Sequence, residues 1–199
     1  MRSAFDKLIS ATGLILAALL LVAGGLLTYA ASYIGNEVDT QLSAQDITMP
    51  EGDALKSLPP DDQKALEPYA GSPMDSGPEA RAYADHYIQA HMSAMSGGQS
   101  YSKISSQYLA MTPEQKATPE GEKLAGLRNT LFQGNTLRGL LLYGAAFATM
   151  GTIAGYAAVA AFIAAAVLAV FGILGLRHAR RVQQRTAGQP PAAAEPSSF

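Results

Sequence analysis

Cysteine is absent from this chain of 199 residues, and that absence removes disulfides, lipobox acylation, thiolate metal sites and cysteine nucleophiles together. Histidine is scarce, with three in all. Two of them, His86 and His91, follow closely on Asp85 and with it invite a metal reading. Ligands sharing one helix face need a spacing of three or four, whereas five residues place these two about 140° apart. One exposed and one packed histidine is expected instead. A 2-His-1-carboxylate iron site would need a third element that the sequence does not supply. There is no G-x-S-x-G elbow, no P-loop and no H-E-x-x-H, and no carboxylate is paired with another catalytic residue type at a diagnostic spacing. The reading is non-enzymatic, with no catalytic, cofactor-binding or metal residue and no cofactor.

Charge is missing from two long blocks. The first, 8–34, is apolar for about 27 residues, enough for a transmembrane helix with modest tilt. A cleaved signal peptide ending near 28–31 is the rival, but an h-region of roughly 7–15 residues is shorter than this block, so retention is expected. Tyr29 and Tyr33 sit near its outer end, where interfacial aromatics belong. The second block, 137–176, carries only Arg138 near its start and stops at Arg177, His178, Arg180 and Arg181. Forty helical residues would rise about 60 Å, roughly twice a hydrocarbon core, so part of the block must leave the membrane. With Arg177, Arg180 and Arg181 as cytoplasmic anchors, the span is expected over 153–176 and an extension outside it over 137–152. Two short spans split near 149–152 are the less favoured alternative, because the first would be too short and no charged turn separates them. The extension's Leu140, Leu141, Tyr143, Phe147 and Met150 would then need protein cover. Arg138 would need a carboxylate or carbonyl partner if buried, or would reach water from the interface.

Charge is also uneven between segments. Residues 36–135 hold 14 acidic side chains against 7 basic ones, a net of −7, while the ends outside the blocks carry six basic residues against Asp6 and Glu195, a net of +4. The positive-inside rule therefore places both termini in the cytoplasm and the middle outside, in a multi-pass plasma-membrane protein. An acidic middle disfavours nucleic acid as a partner. No ionisable residue lies within either expected membrane core, which speaks against an ion path through one subunit.

The expected organisation is a cytoplasmic leader (1–7), a first transmembrane helix (8–34), a Pro-rich extended segment (35–77), a helical domain (78–136), the extension, the second span, and a basic then disordered tail (177–199). Six of the eleven prolines fall between Pro50 and Pro78, which rules out one long helix there. Extended chain with turns and one short helix over 61–66 is expected, with full disorder as the alternative. The clearest soluble helix is 78–95, with Pro78 at its start, Glu79 in its first turn and Gly97-Gly98 at its end. Its Ala80, Tyr83, Ala84, Tyr87, His91 and Ala94 recur at three and four as one face, of which Tyr83, Tyr87 and His91 form a candidate pocket wall. A short helix is expected over 102–111, and a very long one over 120–184 with Gly134 and Gly139 as weak points. Gly151 and Gly155 make a GxxxG motif, and Ala157, Ala161, Ala165 and Ala169 form a small-residue row at spacing four. Such faces let helices approach in lipid, so packing on the first span or self-association is expected.

The stretches FDKLISATGLILAALLLVAGGLL, QLSAQDITMP, EARAYADHYIQAHM, GGQSYSKIS and above all LFQGNTLRGLLL resemble a family of uncharacterised actinobacterial membrane proteins, across nearly the whole of 5–181. The resemblance implies two spans with an outside domain. Some members are labelled aromatic ring-opening dioxygenase subunits, but no iron-ligand set in this sequence matches that chemistry. The expected fold class is an all-α membrane protein of two antiparallel transmembrane helices, the second very long, with a small helical extracytoplasmic domain packed on it. The expected role is a scaffold or accessory subunit with a protein partner in the bilayer; the alternative is a cell-envelope sensor or small-ligand binding module.

Overall fold

A computed structural model describes the backbone of 2–187 and side chains over 5–184. The tail expected to be disordered lies, from 188 onward, outside the described residues. Among the described residues there are eight α-helices, in order α1 Arg2–Ser43, α2 Gly52–Lys56, α3 Pro60–Leu66, α4 Gly77–Ala82, α5 Gln89–Ser96, α6 Tyr101–Ala110, α7 Pro113–Lys116 and α8 Pro119–Ala187. A 3₁₀ turn, Glu67–Tyr69, follows α3, and a π-helical turn, Tyr83–Ile88, joins α4 to α5. Among the described residues the sole β pairing is one isolated bridge, Thr48 to Pro73. The protein is all-α, and two of its helices are long and apolar enough to cross a membrane.

The chain divides into two compact units, Met1–Ala30 with Ile153–Phe199, and Ala31–Thr152. In the first unit Ser10, Ala17 and Gly24 are the buried positions of α1, at a spacing of seven; those of α8 are Ala158, Ala165, Gly172 and Ala179 at the same spacing, with Ala161 between the first two. A period of 3.5 keeps one seam facing a partner helix, and small residues on it let the backbones close up. The fit is tight. A Cβ on Gly172 would fall 2.8 Å from Leu14 Cγ and 3.2 Å from the Ser10 carbonyl, one on Gly24 would meet the Phe162 ring at 2.9 Å, and one on Gly175 would strike Ser10 Oγ. Lys7 Nζ donates to Gln183 Oε1 at 2.6 Å. Outside the seam almost nothing is covered, since only 11% and 22% of the most apolar windows of α1 and α8 are buried. A core helix of a soluble protein would be mostly buried.

The small-residue row follows the seven-residue register rather than the spacing of four. Ala161 and Ala165 are buried, but Ala157 is exposed and Gly155 and Ala169 are half-buried, their places being taken by Ala158 and Gly172. Four residues advance about 40° beyond a full turn, so a row at that spacing drifts off the contact line within two steps. Arg177, Arg180 and Arg181 are exposed around the buried Ala179.

The second unit begins with the last turns of α1, which run nine residues past the expected end at 34. The stretch NEVDTQLS contains no proline or glycine, and Val38 and Leu42 are buried in a core with Leu66, Ile88, Ile104 and Leu131. The Pro-rich segment holds the expected short helix and, besides it, α2 and a 3₁₀ turn. The Met49 N–H donates to the Ser72 carbonyl and that of Met74 to the Ile47 carbonyl, both at 2.8 Å, tying its two ends together. Its short helix spans Pro60–Leu66. Where α4 begins, the Glu79 carboxylate accepts from the Asp75 and Ser76 N–H groups and from the Ser72 and Ser76 hydroxyls, at 2.8–3.1 Å.

Helix α8 passes through Gly134 and Gly139 without interruption. Gly134 is a close-approach point, not a weak one, because a Cβ there would lie 2.6 Å from Met92 Sδ. The cover expected over the upper part of α8 falls on another face. Leu131, Leu141 and Ala145 are buried, whereas Leu140, Tyr143, Phe147 and Met150 are exposed. The helical domain packs along the line 131–134–138–141–145–148, a 3–4 stripe that includes only Leu141 of the expected five residues.

Candidate functional site

The chemistry-bearing side chains of the second unit gather at the π turn. A π turn is wider than an α turn and is common where function needs a local change of register. Here it carries Asp85 and His86, which point to different partners. Asp85 Oδ1 accepts from Arg138 Nη2 at 2.7 Å, so Arg138 has the carboxylate that a partly buried arginine requires. His86 Nδ1 lies 2.8 Å from Asp62 Oδ1 of α3. Arg138 Nε is buried and, among the described residues, has no partner.

The expected face of the 78–95 helix is rotated by the same turn. Ala80, Ala84, Ile88, Met92 and Ser96 are buried, a constant spacing of four that an undistorted α-helix would not keep on one side. Of the candidate pocket wall, Tyr83 and Tyr87 are half-buried and His91 is exposed, as is Ala94. The three rings form a ladder, with centroids 4.8 Å apart for Tyr83–Tyr87 and 4.4 Å for Tyr87–His91. His91 Nδ1 sits 2.9 Å from the Tyr87 carbonyl. Burial, and next the adjoining Tyr87, push the Tyr83 phenol above its usual range. Burial pushes Glu79 upward, but its four hydrogen bonds outweigh this and hold it below the ordinary carboxylate value.

A recess of about 600 Å³ opens beside Asp62, Asp85 and His91, and two further concavities lie nearby. Tyr87 and His91 line a cleft of about 270 Å³ with Met92, Met95, Gln133 and Leu137; Tyr83 is not part of it. A larger groove of about 450 Å³ runs between the last turns of α1 and α8. Tyr33, Val38 and Leu42 form one wall and Leu137, Leu140 and Phe147 the other, with Glu37 and Gln41 on the rim. Sequence reasoning missed this groove. Its signal was the pairing of Val38 and Leu42 with Ile34 at helical spacing, which continues α1 past the end of its charge-free block.

Among the described residues no three His, Asp or Glu side chains converge to hold a metal ion. The arrangement is suited to holding and positioning, with one arginine–carboxylate pair, one histidine–carboxylate pair and two apolar recesses. The class these features define is an all-α protein carrying two potential membrane-crossing helices. Searches against protein-family models, curated proteins and solved structures find no match to this chain.

Proposed function

We propose that this protein crosses the plasma membrane twice with antiparallel helices, keeps both ends in the cytoplasm, and presents the second unit outside as a non-enzymatic scaffold or accessory subunit of a membrane complex. The observation that carries the reading is where the two compact units divide. From Lys7 to Ala30 and from Ile153 to Arg177 are about 24 residues each, a helical rise of about 35 Å against a hydrocarbon core of roughly 30 Å. Between those limits the exposed side chains are uncharged and, apart from Thr12, Thr28 and two tyrosines, apolar, and exposed Tyr29 and Tyr156 lie near the outer limit, where interfacial aromatics concentrate. Lys7 beside Gln183 and Gly24 beside Phe162 support the antiparallel order.

The absence of cysteine makes the test direct. Ser57→Cys and Gln184→Cys variants are treated on intact cells with a membrane-impermeant maleimide; Ser57→Cys is expected to label and Gln184→Cys only after permeabilisation. Labelling of both, or of Gln184→Cys alone, overturns the topology. Crosslinking in native membranes followed by mass spectrometry tests the role: a reproducible larger assembly is expected, and a chain recovered only as a monomer overturns the scaffold.

A second reading, an envelope sensor or small-ligand module, is favoured by the cleft beside Tyr87 and His91, which is close to the lower end of small-ligand site volumes.

A further inference from the structure

From the groove between α1 and α8 we infer a binding site for one long-chain lipid of the outer leaflet whose headgroup is not anionic. The inference rests on the proposed membrane placement. At about 450 Å³ the groove falls within the roughly 300–1,000 Å³ of small-ligand sites. Its walls are apolar and open to solvent, with Tyr33, Leu140 and Phe147 exposed at 59%, 63% and 55%. Such large side chains outside a membrane are normally covered.

Continuity with charge-free surface selects lipid as the occupant. Between Lys7 and Glu37 on α1, and between Arg138 and Arg177 on α8, there is no charged residue. Both runs pass the points, Ala30 and Ile153, where the reading above puts the outer bilayer surface. The groove begins three residues beyond Ala30 at Tyr33 and ends six residues before Ile153 at Phe147. On this placement no charged residue of either helix stands between the leaflet and the groove along α1 or α8.

The rim selects the headgroup. Glu37 and Gln41 hold each other there, Gln41 Nε2 donating to Glu37 Oε1 at 3.0 Å, and the Glu37 carboxylate repels an anionic headgroup.

The test uses the full-length protein in phosphatidylcholine nanodiscs containing a trace of diacylglycerol with a photoactivatable acyl chain. After irradiation, labelled peptides are mapped. Labels over 33–45 and 137–147, in addition to 8–30 and 153–176, are expected. Leu140→Glu, at an exposed position, should lower groove labelling about tenfold or more by setting an unpaired charge against the acyl chain, with labelling of the spans unchanged. Gly144→Met, whose Cβ would sit 3.7 Å from Leu42 in ordinary contact, should do the same by filling the groove. A photoactivatable phosphatidylglycerol should label the spans but not the groove. Labelled spans with an unlabelled groove, groove labelling unaffected by both variants, equal groove labelling by the anionic lipid, or groove segments crosslinked to a second copy or another protein overturn the inference and leave the membrane placement standing. Unlabelled spans overturn the placement itself.

Discussion

Arg138 of α8 and Asp85 of the π turn, 53 residues apart in sequence, meet with Nη2 donating to Oδ1 at 2.7 Å. The side chains are 32% and 31% exposed, so water screens the pair in part. The contact joins the helical domain to the one charged position in an otherwise apolar block of α8, and it sits where the helix is locally widened.

Replacing Arg138 by Met is expected to lower the stability of the purified protein by about 1–2 kcal/mol, because Asp85 loses its cation while remaining half-buried. Asp85→Asn keeps an acceptor and should cost less. Thermal unfolding of both single variants and the double variant gives the coupling, expected near 1 kcal/mol; additive effects would show the pair to be energetically idle.

Glu79 makes stability depend on acidity. Its folded pKa lies below the ordinary value of 4.5, so the unfolded chain binds the proton more readily and stability rises with pH across that interval. The contribution is fully present above about pH 4.5 and is lost as pH falls through the lower, folded value. Glu79→Gln should remove this part of the acid dependence and lower stability at neutral pH, measured by thermal unfolding between pH 3 and 7.

The seam of the first unit predicts a contrast between glycines. Gly172→Leu is expected to destabilise by about 1–3 kcal/mol, since even its Cβ would crowd Leu14 and the Ser10 carbonyl. Gly25→Leu, which meets nothing within 4 Å, should be nearly neutral apart from helix propensity. Unfolding in detergent separates the two, and equal effects would contradict the packing of this face.

Gly134→Leu should force Met92 aside and narrow the cleft beside Tyr87 and His91, at a cost of about 1–3 kcal/mol. Gly126→Leu, in open surroundings on the same helix, is the control for helix propensity. A Gly134 variant as stable as that control would remove the close approach between α5 and α8.

Several elements were legible in the chain because their causes are local. The lack of charge over 8–34 and 139–176 sets two long apolar helices, and Pro60, Pro78 and Pro119 mark the first turns of α3, α4 and α8. The caps Ser100, which accepts from the Lys103 N–H, and Thr112, which exchanges hydrogen bonds with Gln115, were not singled out in the sequence. The seven-residue register of Ala158, Ala165, Gly172 and Ala179 was also present in the sequence, though hidden among other alanines at spacing four.

The partners of these elements were decided only by tertiary structure. Periodicity shows that a helix has an apolar face, but α8 has apolar residues on every side over most of its length, so no local pattern selects Leu141 for burial and Leu140 for exposure. No local pattern marks the π turn over Tyr83–Ile88, after which Ile88 and Met92 are buried in the core and His91 is exposed. By itself the sequence determined two long apolar helices, where charge forbids a bilayer and which residue types are missing, because these depend on composition and near-neighbour spacing. The Arg138–Asp85 pair, the ordering of the Pro-rich segment and the groove between α1 and α8 arise from contacts between distant residues, and only the closed fold selects those.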